Sequence, residues 1–167
     1  INGAVDMTGV PTGQNLYPSD EEGWGRILLH NTLRFPGDVR KLWVHDVRNT
    51  SGLYTNGTWS SPFPITVNGG SVPLRVTLVY TEPPASALAS DPVVNNLDLE
   101  VLGPTGGSAV LYRGNVFSGG HSVAGGTPDA RNNVEQVHLI TPASGQYVVT
   151  VRGTAVNVGR QGFAVVV

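Results

Sequence analysis

Val94-Asn95-Asn96-Leu97-Asp98-Leu99-Glu100-Val101 decides the fold. Successive side chains of an extended chain alternate between two faces, so Leu97, Leu99 and Val101 fall together while Asn96, Asp98 and Glu100 fall opposite. The alternation predicts a strand with one buried face. It also lines up two carboxylates and an amide, which repel unless something positive lies among them. Asp129-Ala130-Arg131-Asn132-Asn133-Val134-Glu135-Gln136-Val137 echoes it: again an Asn-Asn pair runs into a strand that carries an acid. Hard oxygen donors gathered at two strand entries suit calcium. Asn-Asn equally makes the turn that starts a strand. Residue types alone leave both readings open.

The rest of the composition agrees with an all-β chain. Of 167 residues only 13% are charged, about half of the usual ~25%, while Gly (22) and Pro (12) are abundant. Helix-forming material is scarce and turn-formers are many, in a length that suits one sizeable core. A net charge of −2 gives no electrostatic reason to expect nucleic acid, and no Lys/Arg run marks a membrane surface. The absence of cysteine excludes disulfides, thiol catalysis and zinc–thiolate sites. No apolar run approaches the ~18 residues of a spanning helix. With no signal peptide and Ile1 at its start, the chain is expected to be the interior or C-terminal part of a longer precursor.

Two regions are expected. Residues 1–35 read as an apolar stub, a loop and a short helix. Ser19 or Asp20 would cap that helix, Glu21 and Glu22 would sit in its first turn, and Trp24, Ile27, Leu28 and Leu33 would line one side. Residues 36–167 read as β. Leu42, Val44 and Val47 mark a first strand around Trp43 and His45. Asn56-Gly57 predicts a hairpin between 53–55 and 58–60, and Asn68-Gly69-Gly70 another between 65–67 and 74–80. In the latter strand Leu74, Val76, Leu78 and Tyr80 face inward. Residues 113–131 show no pattern and read as one long loop. Strands at 134–140 and 146–152 follow, and 163–167, apolar on both faces, reads as central in a sheet. The sum is a jelly-roll or β-sandwich of about eight to nine antiparallel strands, preceded by a short helix-containing segment.

No catalytic residue is legible. Gly106-Gly107-Ser108-Ala109-Val110 has Val where a nucleophile elbow needs its second Gly. Gly23-Trp24-Gly25-Arg26-Ile27-Leu28 lacks the last Gly of a dinucleotide fingerprint. His30, His45, His121 and His138 stand apart, and His45-Asp46, as strand neighbours, point to opposite faces. Trp43, Trp59 and Tyr112 allow a rival reading, in which a jelly roll binds carbohydrate or a cell surface through an aromatic groove.

Taken in order, the segments resemble the tail of a subtilisin-like serine peptidase of the group that carries a β-barrel after the protease domain. Glu22-Gly23-Trp24-Gly25-Arg26-Ile27 resembles the Q-G-W-G-R-V/I element that closes the catalytic domain, and Ile1-Asn2-Gly3-Ala4 the end of the helix after the catalytic serine. Leu74 to Thr81 with Pro83-Pro84 resembles L-x-V-T-L-V-W-T-D-P-P, with Tyr80 for Trp and Glu82 for Asp. The opening stretch resembles V-N-D-L-D-L-E-V, with Asn96 for Asp, and Gly125 to Val137 resembles G-G-x-x-D-x-x-N-N-V-E-Q-V. Gly145-Gln146-Tyr147-Val148-Val149 and Gln161-Gly162-Phe163-Ala164 resemble the last two strands. The resemblance implies a secreted enzyme whose catalytic triad lies upstream. Residues 1–35 would be the remnant of its catalytic domain, and 36–167 a jelly-roll domain similar to that of proprotein convertases. Its partners would be the upstream catalytic domain and, through the parent enzyme, protein substrates; neither nucleic acid nor a membrane is implied. Bound calcium is common in the group, and Asp98, Asp129 and Glu135 would be its donors, helped by Asn95, Asn96, Asn132, Asn133 and Asp91.

Overall fold

The computed structural model describes residues 1–7, 18–19 and 22–167. One helical turn, α1 (Leu29–Thr32), precedes ten strands: β1 (Val44–Val47), β2 (Thr58–Ser60), β3 (Ile65–Val67), β4 (Leu74–Val79), β5 (Asn95–Thr105), β6 (Val110–Ser118), β7 (His121–Ala124), β8 (Val134–Leu139), β9 (Gly145–Val156) and β10 (Phe163–Val166). They form two sheets, ordered β1-β10-β4-β8 and β2-β9-β5-β6-β7, with β3 also on β9. Every strand pair is antiparallel. The fold is an all-β sandwich; the sheets do not close into a barrel.

The alternation in β5 is as the sequence implies. Leu97, Leu99 and Val101 are fully buried and meet Val149 and Val151 of β9 on the same face. Leu74, Val76 and Leu78 of β4, Val137 and Leu139 of β8, and Phe163 and Val165 of β10 supply the opposing face. Each such side chain contributes roughly 1.5–3 kcal/mol on burial. β10 lies between β1 and β4, the central place its apolar run predicts. Among the described residues, the core cluster takes no side chain from before Trp43.

Four local expectations are corrected. Asn56-Gly57 does make a tight turn, with Asn56 at φ 65° and the Gly57 N–H on Tyr54 O at 2.8 Å, but its flanks do not pair with each other. β2 joins β9, and Leu53 bridges Gln161, because the twelve-residue β9 offers a longer edge than a three-residue neighbour can. Asn68-Gly69-Gly70 likewise joins two sheets rather than a hairpin, since β3 pairs with β9 and β4 with β8 and β10. The supposed loop at 113–131 contains most of β6 and all of β7, turned at Gly119-Gly120, which take φ 61° and 80°. The helix does not start near Ser19: Ser19 and Gly23 exchange backbone bonds, Arg26 pairs with Val5, and among the described residues before β1 Leu29–Thr32 is the helical turn. Ser19 Oγ still accepts the Glu22 N–H at 3.3 Å, while Asp20 and Glu21 lie outside the described residues. The first strand forms where expected, as β1; along 42–47, Leu42 and Val44 are exposed while Trp43, His45 and Val47 are half-buried.

The two open sides of the sandwich are closed differently. On the β8 side, Asn115 of β6 accepts the Gln136 N–H and donates to Val134 O, both at 2.9 Å. Ser122 of β7 accepts the His138 N–H at 2.9 Å, so side chains satisfy an edge that a strand would otherwise pair. On the β1 side, Trp43, His45 and Trp59 stack on one another, and Trp59 and Phe163 meet in a T-shaped arrangement. Residues 1–4 lie on the outer face of the smaller sheet, where Arg75 donates to Asn2 O and Ala4 O and Thr77 donates to Asn2 Oδ1. No helix among the described residues is long and apolar enough to cross a membrane.

Candidate functional site

The acids and amides singled out in the sequence meet where β4, β5 and β8 converge. β6 pairs with β5 only from Glu100 to Gly103, which leaves the N–H groups of Leu97 and Leu99 without a strand partner. Two side chains take them. Tyr80 Oη accepts the Leu97 N–H at 3.2 Å, and Glu135 Oε2 accepts the Leu99 N–H at 2.9 Å. Glu135 lies opposite Leu78 on β4, on the core side of β8, and is fully buried. Gly114 makes room for it: a Cβ there would sit 2.1 Å from Glu135 Oε2. Burial pushes the Glu135 carboxyl up to about 9; the Leu99 N–H opposes this and the nearby Asp98 and Asp129 charges reinforce it. The acid is therefore neutral over most of the working pH range. Burial likewise raises the Tyr80 phenol.

Asp129 is the opposite case. Its Oδ1 accepts the backbone N–H groups of Arg131 (2.9 Å) and Asn132 (3.2 Å), and its Oδ2 the amide groups of Asn115 (2.6 Å) and Asn132 (2.7 Å). Partial burial would raise its pKa, but these four donors outweigh it and hold the carboxyl below its usual value. Asp98 accepts from Asn96 Nδ2 (3.1 Å) and from the Thr154 hydroxyl. Beside it Glu100 takes Arg152 Nε at 2.6 Å, the positive partner its face requires.

Asn95 ties a turn. Its Oδ1 accepts the N–H groups of Asn157 and Val158, and its Nδ2 donates to Val158 O and Gln161 Oε1. Asn132 O accepts the Tyr80 hydroxyl, Asn133 O accepts the Tyr80 N–H, and Asp91 accepts the Val93 N–H.

The structure thus brings Asp129 together with Asn132, and Asp98 with Asn96. Among the described residues no three His, Asp or Glu side chains gather to hold a metal. Calcium takes six to eight oxygens; as placed, Asp129 meets N–H groups with both of its oxygens and Glu135 is buried against the Leu99 N–H. Among the described residues, three acceptor oxygens, Asn96 Oδ1, Glu135 Oε1 and Gln136 Oε1, are buried without a hydrogen-bond partner.

Sequence reasoning missed Asn115, which holds φ 58° and binds Asp129, Val134 and Gln136 at once. It also missed Gln161, whose role depends on a long-range contact no local pattern signals. Trp43 and Trp59 pack toward the core and Tyr112 lies opposite Val101, and all three side chains are half-buried.

No family model matches the chain. Two proteins of Dictyostelium discoideum are similar to it, both named serine protease/ABC transporter B family protein. TagA is 34% identical over 94 residues, 56% of this chain and 5% of tagA. TagB is 39% identical over 93 residues, 54% of this chain and 5% of tagB. The matched stretch is a small part of each relative, and the likeness is consistent with a protease-related region.

Proposed function

We propose that the chain is a non-catalytic β-sandwich domain of a longer, secreted, subtilisin-like serine endopeptidase, and that it stabilises the catalytic domain by packing against it. The observation that carries this reading is the surface around the N-terminal segment. Ile27 (74%), Leu29 (65%), Leu33 (52%), Phe35 (57%) and Val39 (83%) are exposed, although the segment is tied by Arg75 and Thr77 to the sandwich at one end. Such a run of large apolar side chains marks a surface that a partner covers. The names of the two relatives support a protease as that partner.

The test has two arms. In the parent enzyme, Ile27→Asp with Leu29→Asp is expected to lower the melting temperature of the catalytic domain while sparing that of the sandwich. The isolated chain, exposed to a serine-directed phosphonate, is expected to take up no label. Stoichiometric labelling of one serine would overturn the reading.

A further inference from the structure

The connection from β4 to β5 crosses between the sheets and is pinned at its base. Glu82 Oε2 accepts the N–H groups of Val94 (2.6 Å) and Asn95 (2.8 Å), and Gln161 Nε2 donates to Thr81 O (3.1 Å). Its ends are held together, as in an Ω loop. Above that base, the loop's hydrogen bonds among the described residues are to itself: Ala89 N–H to Ser86 O at 3.0 Å, and Val93 N–H to Asp91 Oδ1 at 3.1 Å. Residues 86–92 are all exposed, and Leu88, at 96%, is the most exposed large apolar side chain among the described residues. Ala85, Ser86, Ala87, Ala89 and Ser90 flank it with little bulk.

We propose that the Leu88–Ala89 bond is a processing site for an endopeptidase with a large apolar primary pocket. Exposed tips of small and polar residues are where chains are nicked, because opening them breaks few contacts. Here one short turn must open, and no sheet bond is lost. Water adds across the bond: the C–N bond breaks, a carboxylate forms on Leu88 and an amino group on Ala89, with no other reactant. The product is a two-chain sandwich. β4 stays held between β10 and β8, and β5 between β9 and β6, so neither half is released by the cut. The inference concerns this loop alone and does not depend on the identity of the parent enzyme.

Brief digestion of the native chain with chymotrypsin, whose primary pocket is apolar, tests it. Intact-mass analysis is expected to show fragments 1–88 and 89–167 that co-elute at the volume of the uncut protein and part only in urea. Leu88→Asp is expected to remove that cut and leave any cut at Leu33 unchanged. A core that survives digestion at other bonds with 84–92 intact would overturn the proposal, as would fragments that separate in native buffer.

Discussion

Glu135 is the residue whose chemistry departs furthest from its type. Its pKa is raised from the ordinary 4.5 to about 9, first by burial. Between those values the folded protein keeps a proton that the unfolded chain has lost. The stability it contributes is therefore whole below pH 4.5 and is lost as pH rises through about 9. His138 acts in the other sense: burial, then Arg75 and His121, lower it to about 4, so its contribution holds above pH 6.5 and is lost as pH falls through 4. Urea melts from pH 7 to 9 isolate the first effect. Wild-type stability is expected to fall by up to about 1.4 kcal/mol per pH unit, and Glu135→Gln, which keeps an acceptor for the Leu99 N–H, to fall less. A variant that tracks wild type throughout would show that Glu135 ionises normally.

At the scale of elements, β5 is held from both ends of its sequence, and Asn95 governs the first. Four hydrogen bonds from one buried amide fix the turn between β9 and β10, including Asn157 and Val158. Asn95→Ala leaves those backbone groups unpaired and is expected to cost roughly 2–4 kcal/mol, read as a lower urea midpoint with an unchanged slope. A loss below about 0.5 kcal/mol would mean the turn holds itself. Which strands exist was legible in the sequence where burial is local: the period of two in 74–80 and 97–101 needs no knowledge of partners. Which strands pair was not, because Asn56-Gly57 and Asn68-Gly69 encode a turn but not the sheet on each side of it. The candidate site was legible as residue types, but not the hydrogen bonds those residues make. Glu135 shares its face with Val137 and Leu139, so the same alternation that located the strand already placed the acid in the core. That it would be neutral there depends on Leu78 and Gly114, which the sequence does not bring near.

For the whole molecule, the resemblance raises calcium and the arrangement of donors argues against it. A ligand bound only by the folded state adds about 2.7 kcal/mol at a hundredfold excess over its dissociation constant. Thermal melts with added calcium and with a chelator are expected to coincide, since Asp129 already has its charge met by four N–H groups. A rise of several degrees with calcium, lost in Asp98→Asn, would restore the metal reading.

The two closures of the sandwich give it a front and a back in temperature. Aromatic stacking at Trp43, His45 and Trp59 draws on the hydrophobic effect, which fades on cooling, whereas the amide and hydroxyl contacts of Asn115 and Ser122 do not share that fade. Near freezing the sandwich should gape on its aromatic side while its polar side stays shut, a clam hinged along β8.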